Sequence, residues 1–319
     1  MRKDFPACGP LSFLPIPSKG MGPQKGRFME TVKKRRPVDL LCGFFLLCHP
    51  GPVLLHTIAV SMFALLAVWP HVYWSTLVLV ITAHIAMQLS IAVINDDCDR
   101  RRDALSKKTK PIVRGLVRPQ EALIAGIFLM LIMVLLLLPL NPLALVISLL
   151  YLACGQGYNL GLKVTPLGDI VFALAIPLIP LYAFVGMGHF VPFLFWLVPV
   201  GALLGVVLHL ANALPDIEED AESHARTLAV VLGVRGSFIA CSLLILLATT
   251  LIGVLAIRGL VSTDPLLLVP TLIFACLALV ALSALFDPQE SRQSRKIYFY
   301  LVVLTCLVLA GGWLVSILI

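Results

Sequence analysis

Charge is scarce in this sequence. Only 13% of its 319 residues are Asp, Glu, Lys or Arg, while 60% are hydrophobic; an ordinary soluble domain carries roughly 25% charge. A soluble globular protein and a disordered chain are both excluded. The eight cysteines (Cys8, Cys42, Cys48, Cys98, Cys154, Cys241, Cys276 and Cys306) contain no C-x-x-C pair, and several sit inside apolar runs as small hydrophobes. A small disulfide scaffold is therefore excluded, and the cysteines say nothing about redox compartment. No soluble cofactor-binding fingerprint occurs, and the one apolar piece of the N-terminal region, Leu11 to Ile16, is too short for a signal-peptide core.

What is present is a series of apolar runs of about 20 residues, each long enough to cross a hydrocarbon layer about 30 Å thick. They fall near 53–69, 73–94, 120–138, 142–161, 167–187, 191–211, 236–257, 265–286 and 297–318. The fold class is thus all-α: a polytopic membrane protein with a bundle of nine transmembrane helices. Leu40 to Cys48 is apolar but short and stops at His49-Pro50-Gly51-Pro52, which suits an interfacial or broken half-helix. Residues 1–39, rich in Pro and Gly and carrying Lys33-Lys34-Arg35-Arg36, read as a mobile basic cytoplasmic tail, and residues 40–319 as the membrane domain. Met21 and Met29 are alternative starting points.

Nine spans place the tail and the loops after spans two, four, six and eight on one face of the membrane. That face receives 23 of the 24 Lys and Arg residues, with Arg258 on the other side. By the positive-inside rule it is cytoplasmic, in a multi-pass protein of the cell (plasma or inner) membrane with a cytoplasmic N-terminus. The formal charge of +7 then reports topology and contact with membrane lipids rather than nucleic acid, which is not an expected partner. Acidic residues have little influence on orientation, yet all but Asp264 share the same face. The working surface is there.

Two acidic clusters define it. In Asn95-Asp96-Asp97-Cys98-Asp99-Arg100-Arg101-Arg102-Asp103, helical spacing puts Asn95, Asp99 and Asp103 on one face with Asp96 beside them. In Asn212-Ala213-Leu214-Pro215-Asp216-Ile217-Glu218-Glu219-Asp220, the residues Asn212, Asp216 and Asp220 repeat that spacing. Like charges at i, i+4 oppose one another, so such stripes call for cations. Mg²⁺ takes oxygen ligands and commonly combines one or two carboxylates with phosphate oxygens, so two opposed stripes suit a metal-bridged diphosphate. Asn95, Asp96, Asp99, Asp103, Asp216 and Asp220 are the candidate metal ligands; a solvated charged loop edge is the competing reading.

Asn95-Asp96-x-x-Asp99-x-x-x-Asp103 resembles the first signature of the UbiA superfamily of intramembrane prenyltransferases, and Asp216-x-x-x-Asp220 the second. Lys110-Pro111-Ile112-Val113 with Gly115, Tyr158-x-x-x-x-Lys163, and Arg226-Thr227-Leu228-Ala229-Val230 with Gly233 extend the likeness over roughly 40 to 320, in order. The resemblance implies a UbiA-like nine-helix bundle and Mg²⁺-dependent transfer of a prenyl group from an allylic diphosphate donor to a lipophilic acceptor of aromatic or quinone-precursor type. The catalytic group would be Asp96, Asp99, Asp103, Asp216, Asp220, Lys163 and Tyr158. Ionising an allylic diphosphate develops negative charge on the leaving group, which metal ions and fixed cations stabilise. Lys163 leads the candidates for that clamp, followed by Lys110, Arg114 and Arg226; each also suits plain positive-inside charge.

Asn95, Asn212, His84, Gln88 and His209 complete the substrate-binding candidates. His84 and Gln88 lie one turn apart and lead toward Asn95, while His209 precedes Asn212 by a turn. Polar side chains within spans usually face the bundle interior, where they line a channel or simply satisfy one another. Departures from the family pattern are Glu219 where Gly is usual, Ala221 where Arg is usual, His224 and Ala225 before the Arg-Thr pair, and Arg114 in place of a small Ser. A terpene cyclase of the same superfamily and a membrane transporter or scaffold remain as alternatives; product mass and turnover distinguish them.

Overall fold

A computed structural model of the chain describes residues 36–285 and 291–318. The tail expectation lies outside the described residues except at its end, where Pro37–Asp39 already belong to the first helix. Eleven α-helices follow: α1 Pro37–Leu47, α2 Pro50–Val68, α3 Trp74–Ser106, α4 Pro119–Leu137, α5 Pro142–Asn159, α6 Leu167–Gly186, α7 Leu194–Ala213, α8 Ile217–Glu222, α9 Leu228–Ile257, α10 Pro265–Leu285 and α11 Arg292–Leu318. Short 3₁₀ turns at Leu162–Val164 and Leu214–Asp216 precede α6 and α8, and the described residues form no strand.

Nine of these helices have 18 residues or more, matching the nine runs read from the sequence. Eight are long and apolar enough to cross a membrane. The ninth, α5, ends in Gly155-Gln156-Gly157-Tyr158-Asn159 and loses apolar character there. The short apolar segment before span one is α1, whose 11 residues are too few to span. The largest departure in length is α3. Its 33 residues reach about 50 Å at 1.5 Å per residue, so about 20 residues cross the hydrocarbon and the remainder stands beyond it. Charged side chains extend this helix without apolar burial, because Arg100 pairs with Asp97 and Arg102 with Asp99 at i, i+3.

Helix starts follow from sequence. Proline opens α2, α4, α5 and α10, where its fixed φ suits the first turn and its missing N–H costs nothing. Asn141 caps α5 by accepting from the Leu143 N–H at 3.0 Å, and Thr227, the Thr of the Arg-Thr motif, caps α9 through the Val230 N–H at 3.3 Å. Gly233 of the same motif is a kink inside α9 (φ 70°, ψ 173°).

The outward faces are apolar. On α4, Ile124, Ile127, Phe128, Leu131 and Leu135 point out while Ala122, Gly126, Met133 and Leu137 pack inward. Such a surface is unfavourable in water and ordinary in lipid. One packed interior joins α2 to α6 around Met87, Met133 and Tyr151; another joins α7, α9, α10 and α11 around Ile245, Val302 and Trp313.

Small residues bring α6 and α7 together, as is common where helices pack within lipid. A Cβ at Gly205 would stand 2.5 Å from the Phe172 carbonyl oxygen, and one at Gly201 3.1 Å from the Pro177 side chain. His209 continues this i, i+4 row one turn on, so the close approach carries its imidazole onto α6. Gly205→Val is expected to force the helices apart and cost about 1–3 kcal/mol, read as a lower midpoint in detergent thermal unfolding. An unchanged midpoint would mean that the two helices do not pack this closely.

Candidate active site

The first acidic cluster lies on the protruding end of α3, and three other segments converge on it. Asp96 is 2% exposed. Its Oδ1 accepts from Lys110 Nζ at 2.5 Å and stands 2.9 Å from His49 Nε2. His49 occupies the break between α1 and α2, and Lys110 begins a turn closed by the Leu116 N–H donating to the Pro111 carbonyl at 3.0 Å. Asp99 Oδ1 lies 2.6 Å from Lys163 Nζ, whose side chain is only 9% exposed. Lys163 belongs to the 3₁₀ turn after α5. Asn95 donates to Asn159 Oδ1 at 2.7 Å, and Asn159 donates in turn to the Ile91 carbonyl at 2.9 Å, fastening the end of α5 to α3. Asp103 is 3% exposed.

The second cluster differs from its sequence reading. Asn212, Asp216 and Asp220 do not share one uninterrupted helix: α7 stops at Ala213, Leu214–Asp216 form a 3₁₀ turn, and α8 starts at Ile217. Pro215 is the cause, since it lacks an N–H to continue the α-helical ladder. Its acidic side chains divide. Asp216 and Glu219 pair with Arg292, and Glu218 accepts from the two terminal guanidinium nitrogens of Arg295 at 2.7 and 3.0 Å. Arg295 also donates to the Leu214 carbonyl at 3.1 Å, so the start of α11 holds this turn. Asp220 instead lies within electrostatic reach of Arg102, Lys107 and Tyr158. Asn212 is exposed.

Of the other candidates, Tyr158 and His209 meet: the Tyr158 hydroxyl is 3.2 Å from His209 Nε2. The far side of that imidazole faces a residue the sequence reading passed over, with Asp169 Oδ1 3.0 Å from His209 Nδ1. His84 and Gln88 form a different group. Gln88 Nε2 contacts His84 Nε2 at 3.2 Å and donates to the Tyr151 hydroxyl at 2.9 Å, and His84 stacks on Tyr182. His209 and the His84–Gln88 pair therefore do not join in one polar row. Arg114 and Arg226 are exposed; the backbone N–H of Arg226 donates to the Val164 carbonyl at 2.9 Å, linking α9 to the Lys163 turn.

His49, Arg292, Arg295 and Asp169 are the participants missed from the sequence. His49 stands in an interrupted apolar piece, and the arginines pair across more than 70 residues. Asp169 had a usable signal, as a carboxylate in the first turn of an apolar span.

Among the described residues no three His, Cys, Asp or Glu side chains converge as a ready metal site. The donor set nonetheless fits a hard divalent cation. Asp96 Oδ2 is buried and without a hydrogen-bond partner among the described residues, and a carboxylate oxygen in that condition is costly unless a cation takes it. The carboxylates of Asp96, Asp99, Asp103 and Asp220 and the Asn95 amide oxygen are donors of the kind that Mg²⁺ takes.

The sequence profile of the UbiA prenyltransferase family matches residues 54–314. The chain belongs to this family. Over 193 residues it is 33% identical to the 4-hydroxybenzoate octaprenyltransferase of Nitrosomonas europaea, covering 57% of this chain and 64% of that protein. It is 32% identical over 151 residues to the 4-hydroxybenzoate octaprenyltransferase of Neisseria meningitidis serogroup C, covering 46% and 51%. The matched region thus spans between half and two thirds of these relatives. Among solved structures, a digeranylgeranylglyceryl phosphate synthase superposes with a TM-score of 0.73 at 17% identity, over 88% of this chain and 99% of that one. A UbiA homologue from Archaeoglobus fulgidus bound to GPP and Mg²⁺ does so with a TM-score of 0.68 at 15% identity, over 85% and 99%. This UbiA chain shares their fold.

Proposed function

We propose that the protein catalyses Mg²⁺-dependent transfer of a prenyl group from an allylic diphosphate to a lipophilic acceptor at the cytoplasmic face of the membrane. One observation carries the reading: buried carboxylates and two fixed lysines meet at the end of an apolar helical bundle. A diphosphate on an apolar tail needs this combination, with hard oxygen ligands and cations at one level and lipid-like packing below. Support comes from the relatives named 4-hydroxybenzoate octaprenyltransferase and from the fold of the homologue bound to GPP and Mg²⁺.

When bound, Mg²⁺ would neutralise the diphosphate oxygens and make diphosphate a better leaving group. The chain's own residues do the rest. Asp96, Asp99, Asp103 and Asp220 supply oxygen ligands, with Asp216, Asn95 and Asn212 available at the margins. Lys110 and Lys163 hold positive charge where negative charge develops as the bond from the allylic carbon to oxygen breaks. Tyr158, part-buried beside Phe172 and His209, offers a ring face to the allylic cation and limits its capture by water. The relatives named 4-hydroxybenzoate octaprenyltransferase favour a phenolic acceptor of the hydroxybenzoate class. The basic-residue asymmetry supports a cytoplasmic N-terminus and tail in the cell membrane.

The test is diphosphate release by detergent-purified protein given geranyl, farnesyl and geranylgeranyl diphosphates with Mg²⁺, with and without 4-hydroxybenzoate and lipid extracts. Products are read by mass spectrometry. Metal-dependent release with an acceptor-plus-prenyl mass is expected. Folded protein that releases nothing from any donor would exclude the reading, and a cyclised hydrocarbon alone would replace transfer by cyclisation.

A further inference from the structure

The contact of Tyr158 with His209 continues to Asp169, and this third member gives the group a direction. A carboxylate only accepts, so the imidazole edge 3.0 Å from Asp169 Oδ1 is the one suited to carry a proton, Nδ1. Nε2 is then the acceptor for the Tyr158 hydroxyl at 3.2 Å. The order Asp169, His209, Tyr158 is that of a proton relay in which the charge of a nearby carboxylate favours a proton on Nδ1 and stabilises the imidazolium when it forms.

The packing builds this arrangement deliberately. Asp169 is 3% exposed and His209 5%. Among the described residues neither Asp169 oxygen nor His209 Nδ1 has a hydrogen-bond partner of good geometry, so the two stand at ion-pair distance without an aligned bond. A buried carboxylate in that condition is costly, and the His209 imidazole is the polar group beside it. Asp169 sits in the first turn of α6, where a helix N-terminus favours a negative charge. That explains a carboxylate there; it does not explain the imidazole set against it or the hydroxyl beyond. Gly168 leaves the room, because a Cβ there would stand 3.1 Å from His209 Cε1. Phe172 closes the remaining side, its ring centroid 4.4 Å from that of His209 and 5.6 Å from that of Tyr158. At the other end Tyr158 lies within electrostatic reach of Asp99 and Asp220, one from each acidic cluster.

We propose that Asp169 and His209 are the proton sink of the reaction, acting through the Tyr158 hydroxyl on the acceptor. The proposal rests on the prenyl-transfer reading. The bond from the allylic carbon to the diphosphate oxygen breaks and its electron pair leaves with diphosphate. The acceptor's hydroxyl proton passes to the Tyr158 oxygen as the Tyr158 proton passes to His209 Nε2, and the phenolate forms the new bond to that carbon through its oxygen or through the ring carbon beside it, whose hydrogen then moves to the oxygen as the ring regains aromaticity. The imidazolium, paired with Asp169, later returns that proton to water at the membrane face. Tyr158 is the catalytic residue of the three; His209 and Asp169 are positioning residues behind it.

Two measurements test this on the full chain in detergent. The first is ¹⁵N histidine NMR, with the His209 signals identified by their loss in His209→Gln. Nδ1 protonated and Nε2 bare is expected, and the opposite tautomer would overturn the relay whatever the acceptor. The second compares transfer to 4-hydroxybenzoate and to 3-fluoro-4-hydroxybenzoate, whose hydroxyl is more acidic. In His209→Gln and Asp169→Asn, kcat for 4-hydroxybenzoate is expected to fall roughly 100-fold or more. The fluorinated acceptor should lose far less, because it needs less help to give up its proton, and Asp169→Glu should recover part of the loss. Equal losses with both acceptors, or no loss, would sink the relay while leaving prenyl transfer in place. Wild-type protein that prenylates neither these phenols nor any component of the lipid extracts would sink both.

Discussion

Asp96→Asn is expected to lower Mg²⁺-dependent diphosphate release by about 100-fold or more. The carboxylate is divided in its use: Oδ1 is committed to Lys110 and His49, while Oδ2 is buried and unpartnered among the described residues. The amide keeps the shape and loses the charge, so the loss is read as metal affinity as well as rate. Raising Mg²⁺ should recover part of it. Asp97→Asn is the matched control on the same helix. Asp97 pairs with Arg100 on its own turn, and release should change by less than about threefold, in keeping with the small worth of an i, i+3 pair within one helix. Equal losses in the two variants would mean that the whole acidic surface acts diffusely and that Asp96 holds no special place.

Lys163→Met is the second large effect, with an expected loss of about 100- to 1,000-fold in kcat, the range found when one fixed group that stabilises developing negative charge is removed. The variant also strands Asp99, a mostly buried carboxylate 2.6 Å from the lysine, so a stability loss accompanies the rate loss and must be separated from it. The double variant Lys163→Met with Asp99→Asn does so. Removing both partners of a buried pair costs far less stability than removing one, so the thermal midpoint should return toward wild type, while release should fall well below that of Asp99→Asn alone, which already lacks one oxygen ligand. A double variant no slower than Asp99→Asn would reduce Lys163 to a structural counter-ion.

The helices were legible where lipid dictates sequence. A run of about 20 apolar residues opened by proline, as in α4 and α5, declares its position by length and by the first-turn preference of proline. Beyond the hydrocarbon that rule lapses. The last turns of α3 are held by ion pairs between neighbouring side chains and carry no apolar signal, so the apolar run near 73–94 marked only the lower part of a helix that continues to Ser106. The row Asn212, Asp216, Asp220 is a regular spacing in sequence; Pro215 breaks it in space, a local effect visible in the letters. Lys163 and Asp99 come together because the chain folds a turn after α5 against the end of α3, and no spacing rule encodes a contact across 64 residues. Asp169 was passed over for a different reason. At the first turn of a span it reads as boundary charge, and its meaning depends on which face of α7 the glycines bring against it.

The arginines at the start of α11 have a consequence for biosynthesis. Arg292 and Arg295 supply counter-charge to Asp216, Glu218 and Glu219, yet they are synthesised more than 70 residues later. When α7 has entered the membrane, the carboxylates that follow it wait for guanidinium groups that come much later in the chain. The second half of the candidate site therefore matures last, when α11 inserts, and a chain interrupted before that helix would hold most of its spans without these counter-charges.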